Sequence, residues 1–243
     1  MIHYRIRGIA IAVGAAAVPL ALAMPASADT IWGDNHIGNQ AGAPTGVGAT
    51  FGYTTNLTGQ GPAARAVYRT ADGHIEELSL LIPQQGWHAA DLTALTGAPA
   101  AASPPFGFTT SLTGQDPAAR VVYRTVSGDI EELASSGGSW SAVDLTALTG
   151  APAAASSPSG YTTDLTGQGP AARVVYRTAG GDIEELALPS GGSWQADDLT
   201  AVSGAPDAAS APFGYTTSLT GQVPAARVVY RAAGRDIEEL STG

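Results

Sequence analysis

Ala172-Arg173-Val174-Val175-Tyr176-Arg177-Thr178-Ala179-Gly180-Gly181-Asp182-Ile183-Glu184-Glu185-Leu186 is one of four versions of the same stretch. The others carry their leading Arg at Arg65, Arg120 and Arg227, and all four end in Ile-Glu-Glu-Leu, beginning at Ile75, Ile130, Ile183 and Ile237. The leading Arg residues lie 55, 53 and 54 positions apart. A period this regular sets the architecture before any local motif is read. Each repeat is one supersecondary unit that buries its apolar face only against a neighbouring copy.

The unit from 160 to 212 reads as four short strands. Residues 161–163 are rich in Tyr and Thr, and residues 173–178 are β-branched and aromatic. Ala179-Gly180-Gly181 turns the chain into a third strand, 182–188. A Gly/Ser loop leads to a fourth strand, 194–199, and a small-residue connector follows, 200–211. The connector has room for one helical turn before Gly204 and Pro206 end it. No run shows helical spacing of apolar residues. Four strands in about 54 residues predict an all-β fold, a four-bladed β-propeller.

Each repeat also carries a Trp twelve positions before a Pro: Trp87 and Pro99, Trp140 and Pro152, Trp194 and Pro206. The same interval separates Trp32 from Pro44, whereas the repeat from 213 has no Trp segment behind it. The spacing therefore predicts that a strand bearing Trp32 completes the last blade and closes the ring between the chain ends. The four blades are expected at 52–105, 106–159, 160–212, and 213–243 together with 30–45. Units this small do not stand alone, so residues 29–243 form one domain. Four blades is near the lower limit for a propeller, which leaves room for association into a homo-oligomer.

Residues 1–28 read as a secretory signal. Arg5 and Arg7 form the charged start, 9–22 is a short apolar run, and Ala26-Ser27-Ala28 is a small-residue cleavage site. Cleavage after Ala28 leaves nine of the eleven Arg against all 21 acids, a formal charge of −12. That balance disfavours nucleic acid as a partner, and anionic membrane with it. No later stretch is long and apolar enough to insert in a membrane. An exported chain without Cys must rely on its core or on ring closure rather than on disulfides.

Alternation along the strands puts Arg173, Val175 and Arg177 on one face, with Ile183 and Glu185 sharing a face on the next strand. Arg and Glu therefore sit across neighbouring strands. Two readings follow. An Arg donor, a Glu acceptor and an aromatic plate are what a sugar needs for its hydroxyls and its apolar C–H patch. The same residues can instead tie strands and blades together, with Trp as filler between blades.

The set Arg-Val-Val-Tyr-Arg-Thr, Gly-Asp-Ile-Glu-Glu-Leu, Gly-Ser-Trp, Asp-Leu-Thr-Ala and Gly-Ala-Pro resembles the blade repeat of fucose-binding propeller lectins. It is similar to bacterial lectins of the Photorhabdus type and, more distantly, to the fungal Aleuria type. The resemblance implies a sugar site between blades, built of an Arg, a Glu twelve positions later and an aromatic from a neighbouring blade. Carried onto this chain, it implies Arg65 with Glu77, Arg120 with Glu132, Arg173 with Glu185, and Arg227 with Glu239. Trp32, Trp87, Trp140 and Trp194 are the implied stacking residues. The chain departs from those families in having four repeats rather than six or seven. It also carries Glu at Glu76, Glu131, Glu184 and Glu238, where the bacterial repeat usually has His.

Other chemistry finds little support. The four His do not repeat at any metal-ligand spacing, so no metal and no cofactor is expected. Adjacent carboxylates such as Glu76 and Glu77 point to opposite faces of a strand, which disfavours a glycosidase. Near-identical repeats favour several equal weak sites acting by avidity over one catalytic centre. The sequence thus predicts a secreted, non-enzymatic glycan-binding protein. A protein-binding or structural secreted propeller is the alternative.

Overall fold

The computed structural model describes residues 34–242. The chain divides into two units, Met1–Asn35 and His36–Gly243. The signal reading over 1–28 and the expected Trp32 strand fall outside the described residues.

The second unit is built of antiparallel sheets, as the repeat predicts. The first sheet contains β1 (Gly46–Leu57), β2 (Gly61–Thr70), β3 (Ile75–Leu81) and β4 (His88–Asp91), in that order. The second holds β5 (Phe106–Thr110), β6 (Ala118–Arg124), β7 (Ile130–Ser135) and β8 (Ser141–Asp144). The third holds β9 (Ser159–Leu165), β10 (Gly169–Arg177), β11 (Ile183–Pro189) and β12 (Gln195–Asp198). The fourth holds β13 (Phe213–Thr217), β14 (Ala225–Arg231) and β15 (Ile237–Ser241), three strands among the described residues.

The register explains the alternation. In the third sheet Val174 faces Leu186 and Tyr176 faces Glu184, while Val175 faces Glu185 and Arg177 faces Ile183. Both faces of the second and third sheets are apolar because each of these sheets is covered on both sides. Phe108, Val122 and Ile130 of the second sheet pack against Val174, Tyr176 and Leu186 of the third. Tyr161 and Val175 of the third meet Val228 and Tyr230 of the fourth in the same way. The core therefore lies in layers between consecutive sheets.

The fourth strand is shorter than the sequence reading of 194–199. It ends at Asp198, whose carboxylate caps helix α4 (Leu199–Ser203) by accepting from the Ala201 amide at 2.8 Å. Asp91 and Asp144 cap α2 (Leu92–Thr96) and α3 (Leu145–Thr149) likewise, and a left-handed Gly ends each helix. Asp competes for the free helical amides better than it continues a strand.

Of the leader, residues 37–44 repeat the geometry of this segment. Helix α1 (Ile37–Ala41) ends at left-handed Gly42, and the Tyr68 hydroxyl donates to the Pro44 carbonyl at 2.8 Å. Tyr123, Tyr176 and Tyr230 make the same bond to Pro99, Pro152 and Pro206. Among the described residues, no helix is long and apolar enough to cross a membrane.

Candidate functional site

Every expected Arg–Glu pair forms. On β2 and β3, Arg65 donates from Nε to Thr55 Oγ1 at 2.9 Å, from Nη1 to Glu77 Oε1 at 2.5 Å and from Nη2 to Gln60 Oε1 at 3.0 Å. In the second sheet Arg120 donates to Thr110 at 2.9 Å and to Glu132 at 2.6 Å. Arg173 repeats this with Thr163 and Glu185, and Arg227 with Thr217 and Glu239. The spacing of twelve works because the strands pair around a tight turn. That places Glu132 opposite Val122 and next to Arg120 on one face.

The Glu carboxylate has a second donor. The hydroxyls of Tyr53, Tyr161 and Tyr215 donate to Glu77, Glu185 and Glu239 at 3.2, 2.8 and 3.0 Å. In the second sheet this position is Phe108, which has no hydroxyl, and the Trp194 indole supports Glu132 instead. Burial pushes the carboxyls of Glu77 and Glu132 up, and the facing Arg65 and Arg120 guanidinium groups pull them back down.

The pairs differ in access. Side-chain exposure is 5% and 4% for Arg65 and Glu77, 8% and 4% for Arg120 and Glu132, and 22% and 39% for Arg227 and Glu239. Burial with full pairing is the geometry of a strand tie as much as of a ligand site.

One complete Arg, Glu and Trp set is assembled. Arg120 and Glu132 belong to the second sheet, and Trp194 precedes β12 in the third. The Arg120 guanidinium carbon stands 5.9 Å from the centre of the Trp194 ring. The stacking residue therefore comes from the following sheet. By the same repeat, Trp140 corresponds to the cleft of Arg65 and Glu77. Trp140 is half-buried against Val67, Val121 and Leu133. Trp87 packs on Ala66, Tyr68 and Leu78 inside the first sheet, beside α1. Trp32 lies outside the described residues.

Two hollows adjoin the pairs. A polar one of about 290 Å³ opens beside Arg120, lined by Gln115, Asp116, Ser135, Ser139 and Ser141. An apolar one of about 290 Å³ lies beside Arg173 and Glu185, lined by Tyr161, Leu199, Val228 and Leu240. In the polar hollow Arg120, Gln115, Asp116 and the serines offer donors and acceptors.

The first-strand Thr in every sheet, the first-strand Tyr in three and Gln60 in the first join these Arg–Glu networks, which the sequence reading did not include. Their signal was available, since Thr-Thr and Thr-Gly-Gln recur in every repeat. The second Arg of each repeat takes another role. Nε of Arg69, Arg124 and Arg177 is buried without a hydrogen-bond partner.

Glu131 and Glu184 sit on the opposite strand face from Glu132 and Glu185. Each faces a second acid directly across the ladder, Asp144 and Asp198. Burial first, then these acids, push the Glu131 and Glu184 carboxyls up to about 7. The two carboxylates of each Glu-Glu pair therefore do not converge on one point. Among the described residues, no group of three or more His, Asp or Glu is placed to hold a metal ion.

No protein-family model matches the chain. No curated protein matches it either. Solved structures do. A lectin from Aleuria aurantia in complex with alpha-methyl-L-fucoside is similar at 17% identity and a TM-score of 0.56, covering 80% of this chain and 59% of that one. AofleA from Arthrobotrys oligospora is similar at 16% identity and a TM-score of 0.57, covering 80% and 52%. A further structure of the Aleuria lectin, described as a six-bladed beta-propeller, is similar at 18% identity and a TM-score of 0.50. The chain spans between half and three-fifths of the length of these lectins. The fold of this chain is fucose-lectin-like: propeller-type sheets, packed face to face in chain order.

Proposed function

We propose that this protein is a secreted, multivalent carbohydrate-binding protein with its sites in the clefts between consecutive sheets. One observation carries the reading: Arg120, paired with Glu132, stands against the Trp194 ring of the next sheet and lines a polar hollow of about 290 Å³. A cationic donor, a carboxylate acceptor and an aromatic plate are the three groups that a pyranose needs. Lectins of similar fold are described with alpha-methyl-L-fucoside, so a fucoside is the first ligand to test.

The remaining features fit that frame. The four sheets are four blades, and a strand at Trp32 has the spacing to complete the fourth. Residues 1–28 act as a signal cleaved after Ala28. Repeated weak sites act together by avidity on glycoconjugates. Binding is reversible, without cofactor or catalysis.

Isothermal titration with alpha-methyl-L-fucoside, preceded by a glycan-array screen, tests the reading. The expected result is more than one site per chain, with affinity reduced by Trp194→Ala. A blank on folded protein would move the weight to a structural or protein-binding propeller. The near-complete burial and full pairing of Arg65 and Glu77 already favour a structural role for that pair.

A further inference from the structure

Between consecutive sheets one contact is made three times. The ring of Tyr53 lies over Gly107, that of Phe108 over Gly160 and that of Tyr161 over Gly214. The approach is so close that a Cβ on those glycines would stand 2.5, 2.3 and 2.2 Å from a ring carbon. Beside the rings, the hydroxyls of Thr109, Thr162 and Thr216 donate to the carbonyl oxygens of Thr54, Thr109 and Thr162, at 2.6, 2.8 and 2.7 Å. Each sheet thus presents a ring and a carbonyl forward, and a glycine and a hydroxyl backward.

Among the described residues, the first and fourth sheets each keep one unused half of this contact. Gly107, Gly160 and Gly214 are buried, but Gly52 is exposed. Among the described residues, the nearest atom to a Cβ at Gly52 is the Arg65 carbonyl oxygen, at 3.8 Å. The forward half on the fourth sheet is Tyr215, and there Phe213 is 49% and Ile237 73% exposed. The two open halves fit one another by the same residues that mate three times inside the chain.

We infer that the forward face of the fourth sheet docks on the backward face of the first sheet of a second copy of this chain, head to tail. The occupant is a second copy because the contact is specified by this chain's own repeat, and both halves stand open in the one chain. A heterologous contact of this kind closes only as a ring. Two copies of four sheets give eight, the top of the usual propeller range, so the ring is a pair.

Docking also completes a binding cleft, and this part rests on the carbohydrate reading. The stacking residue comes from the sheet that follows, so Trp87 of the second copy is the one that covers Arg227 and Glu239. That is the most exposed of the four pairs in the single chain.

The test is the solution mass of the full chain by light scattering over a concentration series, with Gly52→Ala alongside. Wild type is expected at twice the chain mass. Among the described residues Gly52→Ala has room for its methyl within its own chain, so its melting temperature should match that of wild type at concentrations where both are single chains. In the pair, the methyl collides with Tyr215 of the other copy at both junctions, which should weaken association by about 100-fold, ~tenfold at each. Wild type at single-chain mass throughout overturns the inference. So does a Gly52→Ala protein that pairs as tightly as wild type, or one that melts lower than wild type when both are diluted to single chains. None of these readouts uses a sugar, so failure here and failure of the carbohydrate reading are separable.

Discussion

Arg120 and Trp194 belong to different sheets, yet the guanidinium carbon of one stands 5.9 Å from the ring centre of the other. A guanidinium at that distance from an indole face is attracted by the ring quadrupole. The relationship orients Arg120 and ties the second sheet to the third.

Trp194→Ala should therefore act on binding more than on folding. Loss of the aromatic plate is expected to lower affinity for a fucoside in this cleft by about 2- to 13-fold, the equivalent of ~0.5–1.5 kcal/mol for an aromatic contact beyond its area. Titration against wild type checks this. Unchanged stoichiometry and affinity would remove Trp194 from the site.

The buried pairs should respond unequally to truncation. Glu132→Ala leaves the Arg120 guanidinium buried without its carboxylate, and breaking a buried pair in this way costs about 3–5 kcal/mol. The melting temperature should fall by on the order of 10 °C, at 2–4 °C per kcal/mol for a chain of this size. Glu239→Ala touches a pair whose members are 22% and 39% exposed, so its cost should be ~1 kcal/mol or less. Thermal melts of both variants decide the matter, and equal losses would contradict the burial difference.

Stability should fall as pH rises through neutrality. Glu131 and Glu184 titrate near 7 in the folded chain, above the ordinary unfolded value of about 4.3. The folded state thus binds more protons than the unfolded state between those values. The added stability is fully present below the unfolded value and is lost as pH passes the folded one. A melting temperature several degrees lower at pH 8 than at pH 5.5 is expected. The double variant Glu131→Gln, Glu184→Gln should flatten that slope.

Arg235→Gly should stabilise the chain. At the turn of each hairpin a left-handed residue is required, supplied by Gly73, Gly128 and Gly181 in the first three sheets. Arg235 holds the fourth at φ 76°, where a Cβ crowds the following carbonyl. Relief of that strain, less the entropy glycine gains when unfolded, should add ~0.5–1 kcal/mol. A denaturant titration with an unchanged m-value would show it.

Gly160→Ala should do the opposite. Its Cβ would stand 2.3 Å from a ring carbon of Phe108, so ring or backbone must shift. Overpacking of this kind costs about 1–3 kcal/mol, and the second and third sheets should loosen together. Hydrogen exchange faster at Phe108 and Gly160 than at Tyr53 and Gly107 would confirm the locality.

Much of this molecule was legible in the chain. The four-strand repeat, the Arg and Glu spaced by twelve on one face, and the copy of the connector ending at Pro44 all depend on short-range relations. Alternation, turn residues and a fixed period express them directly. The helix after the fourth strand of the third sheet begins at Leu199, one residue before the connector with room for a helical turn. Asp198 was read as strand continuation, although an Asp with a Gly six residues later also spells a capped turn. Tyr53 and Thr55 were passed over because their partners, Glu77 and Arg65, lie on neighbouring strands, and hydrogen bonds across a ladder depend on register.

What the chain determined by itself is the unit: the strand order, the turn at each Gly and the strand face that carries Arg and Glu. These depend on steric rules that act over a few residues, together with a period repeated four times. What only the tertiary structure decided is how units meet. It set Trp194 over Arg120 of the preceding sheet, buried the Arg65 pair and exposed the Arg227 pair, and laid Tyr161 on Gly214 while leaving Gly52 and Tyr215 unmated. Those outcomes depend on the stacking of one sheet on the next, which places residues more than fifty positions apart in contact. Four nearly identical stretches of sequence therefore give four unequal environments.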